Sequence, residues 1–300
     1  MTTIARGSGG GFDLELELDR SDLLPGRLVG GRFRVTTRRG GAFRGARVTL
    51  VGVETWRYDQ TTTDSEGRTQ TVTRTAREAL PAIPIAVIGA TTIAAGESRE
   101  VPFQLPVPGL GPATFEGTEL RVDWELTANL DVSGFDPGVT LPVRILQPTA
   151  LLRAGVVDVA QFALFDDADV AADDLRGSIS LAPVPLCVGA PFRGRIALTE
   201  GSPRRVQEVR LELRVVARST VSGGREESIT LWAGQLAGAG AFGGAGTAVE
   251  FAGTIDDHCL PTIRTPHGRA DATFRVVVAR SMAHDPNLVR DVALCSTMEI

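Results

Sequence analysis

The chain contains no lysine: all 31 of its basic residues, in a length of 300, are arginine. Set beside its richness in Ala, Gly and Val, that bias points to a GC-rich, bacterial genome and not to a function. Cationic excess is missing too. The net charge is −5 and the pI about 5.4, so nothing in bulk electrostatics draws the chain to nucleic acid or anionic lipid. Cysteine is scarce. Cys187, Cys259 and Cys295 are odd in number and widely spaced, which argues against a disulfide framework.

Histidine is equally thin, with His258, His267 and His284 the full set. Only His258 and Cys259 are adjacent, and no C-x2-C or H-x3-H pair offers zinc spacing. There is no G-x-S-x-G elbow and no Ser/His/Asp set, so no catalytic residue, metal ligand or cofactor is expected. Aromatic residues make up 5% with a single Tyr, which speaks against a glycan-binding module. One uncharged apolar run, 79–96, is broken by Pro81, Pro84 and Gly89. A membrane-spanning helix needs about 20 apolar residues and tolerates such breaks poorly. The opening "MTTIARGSGGGF" has no apolar core of a secretory signal. Its "GSGGGF" lacks the flanking strand and helix of a phosphate loop and reads as a flexible tail. A cytoplasmic protein is expected.

What the chain does have is period-2 alternation. "FDLELELD" puts Phe12, Leu14, Leu16 and Leu18 on one face and four carboxylates on the other. Similar strand patterns occupy 27–37, 46–59, 68–76, 84–89, 99–105, 119–132 and 139–146. They resume at 175–181, 191–198, 205–219, 226–236, 247–255, 269–280 and 288–294. Pro, Gly, Asp and Ser clusters separate them at sandwich spacing. The stretch 58–70 reads as an exposed hairpin tip between two long polar strands. The best helical candidate, 150–165, fits a strand nearly as well. The expectation is an all-β fold with an apolar share of 43%, ample for real cores.

The two halves echo each other. "LPGRLVGGRFRVTT" and "LCVGAPFRGRIAL" share a Gly, a short apolar stretch, a second Gly and an alternating strand. Each precedes a long alternating strand, which fits two similar sandwiches in tandem. We expect an N-terminal sandwich over 1–148, a linker and junction over 149–174, and a C-terminal sandwich over 175–300.

The order of these elements resembles the arrestin family, broadly taken, including bacterial arrestin-like proteins. The resemblance rests on "LPGRLVGGRFRV", "ARVTLVGVETWRY" and "VPFQLPVPGLGPATFEGTELRVDWELTANLDV". Its carriers are Pro25, Gly26, Gly30, Pro102, Phe103, Pro106, Pro112, Thr114, Phe115, Glu116, Gly117 and Trp124. It covers 12–146 well and 175–280 more loosely. It implies two tandem immunoglobulin-like β-sandwich domains acting as a non-enzymatic intracellular adaptor or scaffold for a protein or peptide partner. A stress- or sporulation-type regulator of the same family is the alternative. Arrestins that read phosphorylated tails place basic residues on the first strand of the N-domain, where this chain has Asp13, Glu15 and Glu17. Like charge there would repel a phosphate. The family also buries opposite charges at its domain junction.

Further candidates are surface features. The acidic run "FDDADVAADD" offers Asp166, Asp167, Asp169, Asp173 and Asp174, without the Gly and Glu spacing of an EF-hand. It reads as a solvated loop whose aspartates are open to partner binding or to pairing with arginine. Phe242, in the Gly/Ala-rich stretch 234–251, is a candidate apolar anchor for a partner. Pro106, Pro108, Pro112 and the nearby glycines read as architecture that stops one strand and aims the next.

Overall fold

The computed structural model describes residues 2–159, 161–200, 206–238, 246–256, 260–281 and 285–298. The chain is all-β and divides into two compact units. The first unit holds Met1–Thr55, Ala76–Thr114 and Arg121–Leu146; the second holds Trp56–Thr75, Phe115–Leu120 and Gln147–Ile300. Among the described residues no helix is long and apolar enough to cross a membrane.

In the first unit one sheet runs in the order Thr3–Gly9, Phe12–Leu18, Leu28–Thr37, Ser98–Pro106. The alternation of Phe12–Leu18 is realised residue by residue: Leu14, Leu16 and Leu18 are buried while Asp13 is exposed. The carboxylates face solvent among arginines, with Glu15 on Arg6 at 2.7 Å and Glu17 on Arg32 at 3.0 Å. A second sheet orders Asp22–Leu23, Gly138–Ile145, Leu120–Asp131, Gly45–Thr63 and Thr69–Ala79. Val48, Leu50, Val122, Trp124 and Leu126 fill its buried face.

The N-terminal reading needs correction. Thr3–Gly9 is not a tail but a strand, paired antiparallel with Phe12–Leu18 from Thr3↔Leu18 to Gly9↔Phe12. The loop is two residues, Gly10 and Gly11, both with positive φ (58° and 84°). That is the geometry that twists in step with a hairpin and that Gly-Gly adopts without steric cost. Glycine richness here encodes a turn.

The second unit has the same economy. One sheet orders Asp167–Ala172, Leu175–Ala182, Pro191–Glu200 and Ala248–Thr254. The other orders Glu226–Gly238, Val206–Ser219, Gly268–Arg280 and Ile263–Arg264, with Asn287–Val292 also paired to Gly268–Arg280. Phe192 and Phe251 come from the first sheet, Trp232 and Phe274 from the second. They meet with ring centroids 5.1 Å apart for Phe192–Trp232 and for Phe251–Phe274, so the sheets face each other across an aromatic core.

The acidic run is likewise not a loop. Asp167–Ala172 is a strand paired with Leu175–Ala182, and Asp173 and Asp174 form the two-residue turn. Asp173 sits at φ 51°, a conformation Asp tolerates better than most side chains. The candidate helix 150–165 resolves into a short α-helix, Thr149–Arg153, and a 3-10 turn, Gln161–Leu164.

Candidate functional site

The residues with the most concentrated polar chemistry in the second unit gather at the base of a ribbon. The strand Gly45–Thr63 and the strand Thr69–Ala79 form its two sides, and Asp64 turns the chain between them. Asp64 accepts from the backbone N–H groups of Glu66 and Arg68, both at 2.9 Å. Those bonds, the Arg68 backbone bond foremost, hold its carboxyl below the usual carboxylate range. Along the ribbon, hydroxyls pair across the strands: Thr61 with Thr71 at 3.1 Å and Thr63 with Thr69 at 3.3 Å. Thr73 donates to Asp59 at 2.7 Å. The Asp64 N–H to Arg68 carbonyl bond, 3.0 Å, sets the register of the turn. In that register 63/69, 61/71 and 59/73 are the closely spaced, non-hydrogen-bonded pairs of the ladder. The backbone N–H groups of Thr69, Thr71 and Thr73 therefore point away from the partner strand.

At the base, Arg225 reaches across from the 219–225 turn. Its guanidinium donates to both oxygens of Asp59 at 3.1 Å and to Glu119 at 3.0 Å, and it lies 3.4 Å from the Thr73 hydroxyl. Arg57 faces the other oxygen of Glu119 at 3.5 Å. Glu119 is nearly buried, so its charge is neutralised by two guanidiniums and not by water. The planar fork of arginine suits this double engagement. The Thr73 hydroxyl first, then Arg225, holds the Asp59 carboxyl below its ordinary range. The same pairings, with Asp59 foremost, raise the Arg225 guanidinium.

Backbone bonds complete the clamp. Tyr58 bridges Gly224, with Asp59 N–H donating to the Gly223 carbonyl at 2.7 Å and Arg225 N–H to the Arg57 carbonyl at 3.3 Å. Arg57 N–H donates to the Glu119 carbonyl at 3.0 Å. Glu227 accepts from the N–H groups of Thr118 and Glu119, the latter at 2.9 Å. A Cβ on Gly117 would run into that Glu227 carboxylate, which is why the loop carries no side chain there. Beside the clamp, Trp56 stacks on His267 with centroids 3.8 Å apart and planes 8° from parallel. The arrangement offers ion pairing, a rigid base and an open strand edge. Among the described residues no group of three His, Cys, Asp or Glu could hold a metal ion.

The residues singled out from sequence fall in three places. Pro25 and Gly26 turn the chain into Leu28–Thr37, where Gly30 pairs with Gln104. Pro102, Phe103 and Pro106 lie on the neighbouring strand, opposite Arg32, Gly31 and Leu28. The two quoted motifs are thus hydrogen-bonded neighbours, and Gly26 N–H reaches the Val107 carbonyl at 3.1 Å. The Pro112 carbonyl accepts from the Trp124 indole at 3.2 Å, while Phe115 is fully buried and Glu116 exposed. Gly117 sits at the clamp.

The start of the acidic run lies against a buried arginine. Arg290, 2% exposed, donates to the Asp166 carbonyl at 3.1 Å, the Ile179 carbonyl at 2.6 Å and the Phe165 carbonyl. Burial pushes its guanidinium down, opposed by the charges of Asp167 and Asp166. Asp167 accepts from Ser180 at 2.9 Å, and Asp174 pairs with Arg280 at 2.7 Å. Asp169 lies mid-strand opposite Ser178. Phe242, with His258, Cys259 and His284, lies outside the described residues. Sequence reading missed Arg57, Asp59, Glu119 and Arg225. Their only signal was charge inside otherwise alternating or turn-like stretches, and Arg225 lies 166 positions from the Asp59 it pairs with.

Comparison with models of known protein families and with curated proteins finds no match for the chain.

Proposed function

We propose that the protein is a non-enzymatic, cytoplasmic, bacterial adaptor of arrestin-like type, built from two immunoglobulin-like sandwiches. It binds a protein partner by accepting an extended segment of that partner along the open edge of the ribbon strand Thr69–Ala79. The observation that carries the reading is this edge. Every residue from Thr69 to Thr75 is exposed except the half-buried Val72, and among the described residues the strand pairs only with Gly45–Thr63. An unpaired strand edge with outward N–H groups is a template for strand addition. The arginine clamp at the base lowers the entropy lost when a partner docks, because the ribbon is already held. The ordered set of residues from Pro25 to Trp124 supports the family reading.

The test replaces Thr71 by Pro. This removes one outward N–H while leaving the inner ladder intact, since proline is tolerated at such edge positions. A photo-crosslinker at Thr69 should capture one partner through an extended segment in the native host. Thr71→Pro should cut that capture at least tenfold with the melting temperature unchanged. Equal capture by both proteins refutes strand addition at this edge.

A further inference from the structure

No spacing in the sequence pairs the cysteines, yet the fold brings two of them into register. Leu186–Cys187 and Leu294–Cys295 form a two-residue parallel pair with Cys187 directly opposite Cys295. Leu186 N–H donates to the Ala293 carbonyl at 2.9 Å and Val188 N–H to the Cys295 carbonyl at 3.0 Å, which fixes the register from both ends. Opposite residues of adjacent strands lie about 4.8 Å apart with side chains on one face, a backbone separation that a disulfide can bridge. Both thiols are free and buried, in an apolar cluster with Leu152, Val157, Ala163 and Ala293.

We propose that Cys187 and Cys295 are a disulfide-forming pair that closes on exposure to a small-molecule disulfide such as oxidised glutathione, locking the C-terminal strand in place. The Cys295 sulfur is the first attacker, because it lies on the two-residue strand Leu294–Cys295 whose opening brings it to solvent. Contact with the Cys187 thiol holds it below the ordinary thiol range against the opposing effect of burial, with the Thr149 hydroxyl 3.2 Å away; in the closed strand its own S–H donates to the Leu186 carbonyl at 3.3 Å. The same contact, followed by burial, keeps Cys187 protonated and pushes its thiol up. The Cys295 thiolate attacks one glutathione sulfur. The glutathione S–S bond breaks, one glutathione thiolate leaves, and a mixed disulfide forms on Cys295. Cys187 then loses its proton to solvent and displaces the second glutathione. The protein pair is oxidised by two electrons and the reagent is reduced to two thiols, which take up the two protons lost by the cysteines. Because both sulfurs are buried, the reaction proceeds through local opening of the short Leu294–Cys295 strand.

The bond reaches beyond its own strands. Ser296 N–H donates to the Gln147 carbonyl at 2.8 Å, Thr149 N–H to the Thr297 carbonyl at 3.2 Å, and Pro148 bridges Thr297. The strand being locked is therefore the one that holds Gln147–Thr149, where the long contiguous part of the second unit begins.

The experiment uses the full chain with Cys259→Ser, which leaves only this pair. The protein is incubated with oxidised glutathione, alkylated under denaturing conditions and mapped without reduction. A peptide linking Cys187 to Cys295 is expected. The melting temperature should rise by roughly 5–15 °C, the effect of closing a loop of about a hundred residues, and dithiothreitol should reverse it. Adding Cys187→Ser should abolish both changes. A stable glutathione adduct without the linked peptide, no reaction at all, or a linked peptide without a thermal shift would each overturn the proposal.

Discussion

Gly223→Ala tests whether the clamp depends on close backbone approach. Gly223 sits at φ +71°, and a Cβ there would strike the carbonyl of Asp59. A left-handed L-residue costs about 1–2 kcal/mol. The turn must also retreat. That breaks the 2.7 Å bond from Asp59 N–H to the Gly223 carbonyl and strains the 3.3 Å bond from Arg225 N–H to Arg57. At about 0.5–1.5 kcal/mol per bond, the total is about 2–4 kcal/mol, or roughly 30- to 700-fold in the opening equilibrium. Native-state hydrogen exchange at the Asp59 amide reads this directly, because that amide is the one released. Gly67→Ala is the control: Gly67 is also left-handed, at φ +76°, but has nothing within 4 Å of the added carbon. It should cost only the conformational term and leave Asp59 protection unchanged. If Asp59 protection in Gly223→Ala stays within about threefold of wild type, or if both variants lose it alike, the close approach is not what holds the ribbon.

Three further outcomes follow from the same structure. Arg290→Met removes the guanidinium that three carbonyls share, leaving the buried Ile179 carbonyl without it, and should lower stability by about 2–4 kcal/mol in urea denaturation. The Asp59 carboxyl is depressed in the folded state, so its contribution is present above its ordinary value near pH 4 and fades as pH falls through the lower folded value. Exchange protection of the Arg225 amide should accordingly hold from neutrality to about pH 4 and drop below it. In Asp59→Asn that protection is weaker throughout and flat with pH. Gly117→Ala should loosen the 115–120 loop, seen as faster exchange at Thr118 and Glu119, and Glu227→Gln should produce the same pattern with smaller amplitude.

Most strands were legible because each half-buried strand writes its own period. The patterns at 27–37, 119–132 and 139–146 recur as Leu28–Thr37, Leu120–Asp131 and Gly138–Ile145, within a residue or so at each end. Two elements were misread where composition masked geometry. In Thr3–Gly9 no residue is fully buried, so alternation carries no apolar signal, and its Gly-Gly turn looks like linker. In Asp167–Ala172 only Val170 is buried, and the aspartates hide the strand. The site was less legible still. Gly117 was visible as a motif residue, but its reason lies in Glu227, more than a hundred positions away. No local pattern announces that Asp59 and Glu119 will share the guanidinium of Arg225.

That sharing bears on how the chain matures. The second unit is compact but not contiguous, since Trp56–Thr75 and Phe115–Leu120 belong to it along with Gln147–Ile300. During synthesis Asp59 and Glu119 leave the ribosome long before Arg225, and Trp56 waits longer for His267. At about 5–20 residues per second the ribbon base stays unclamped for roughly ten seconds or more. Through that interval the open threonine edge is exposed without its anchor. A fragment beginning at residue 147 never acquires Asp59 or Glu119, so it would carry Arg225 without its two carboxylate partners. Cutting the chain by sequence order therefore divides one compact unit in two.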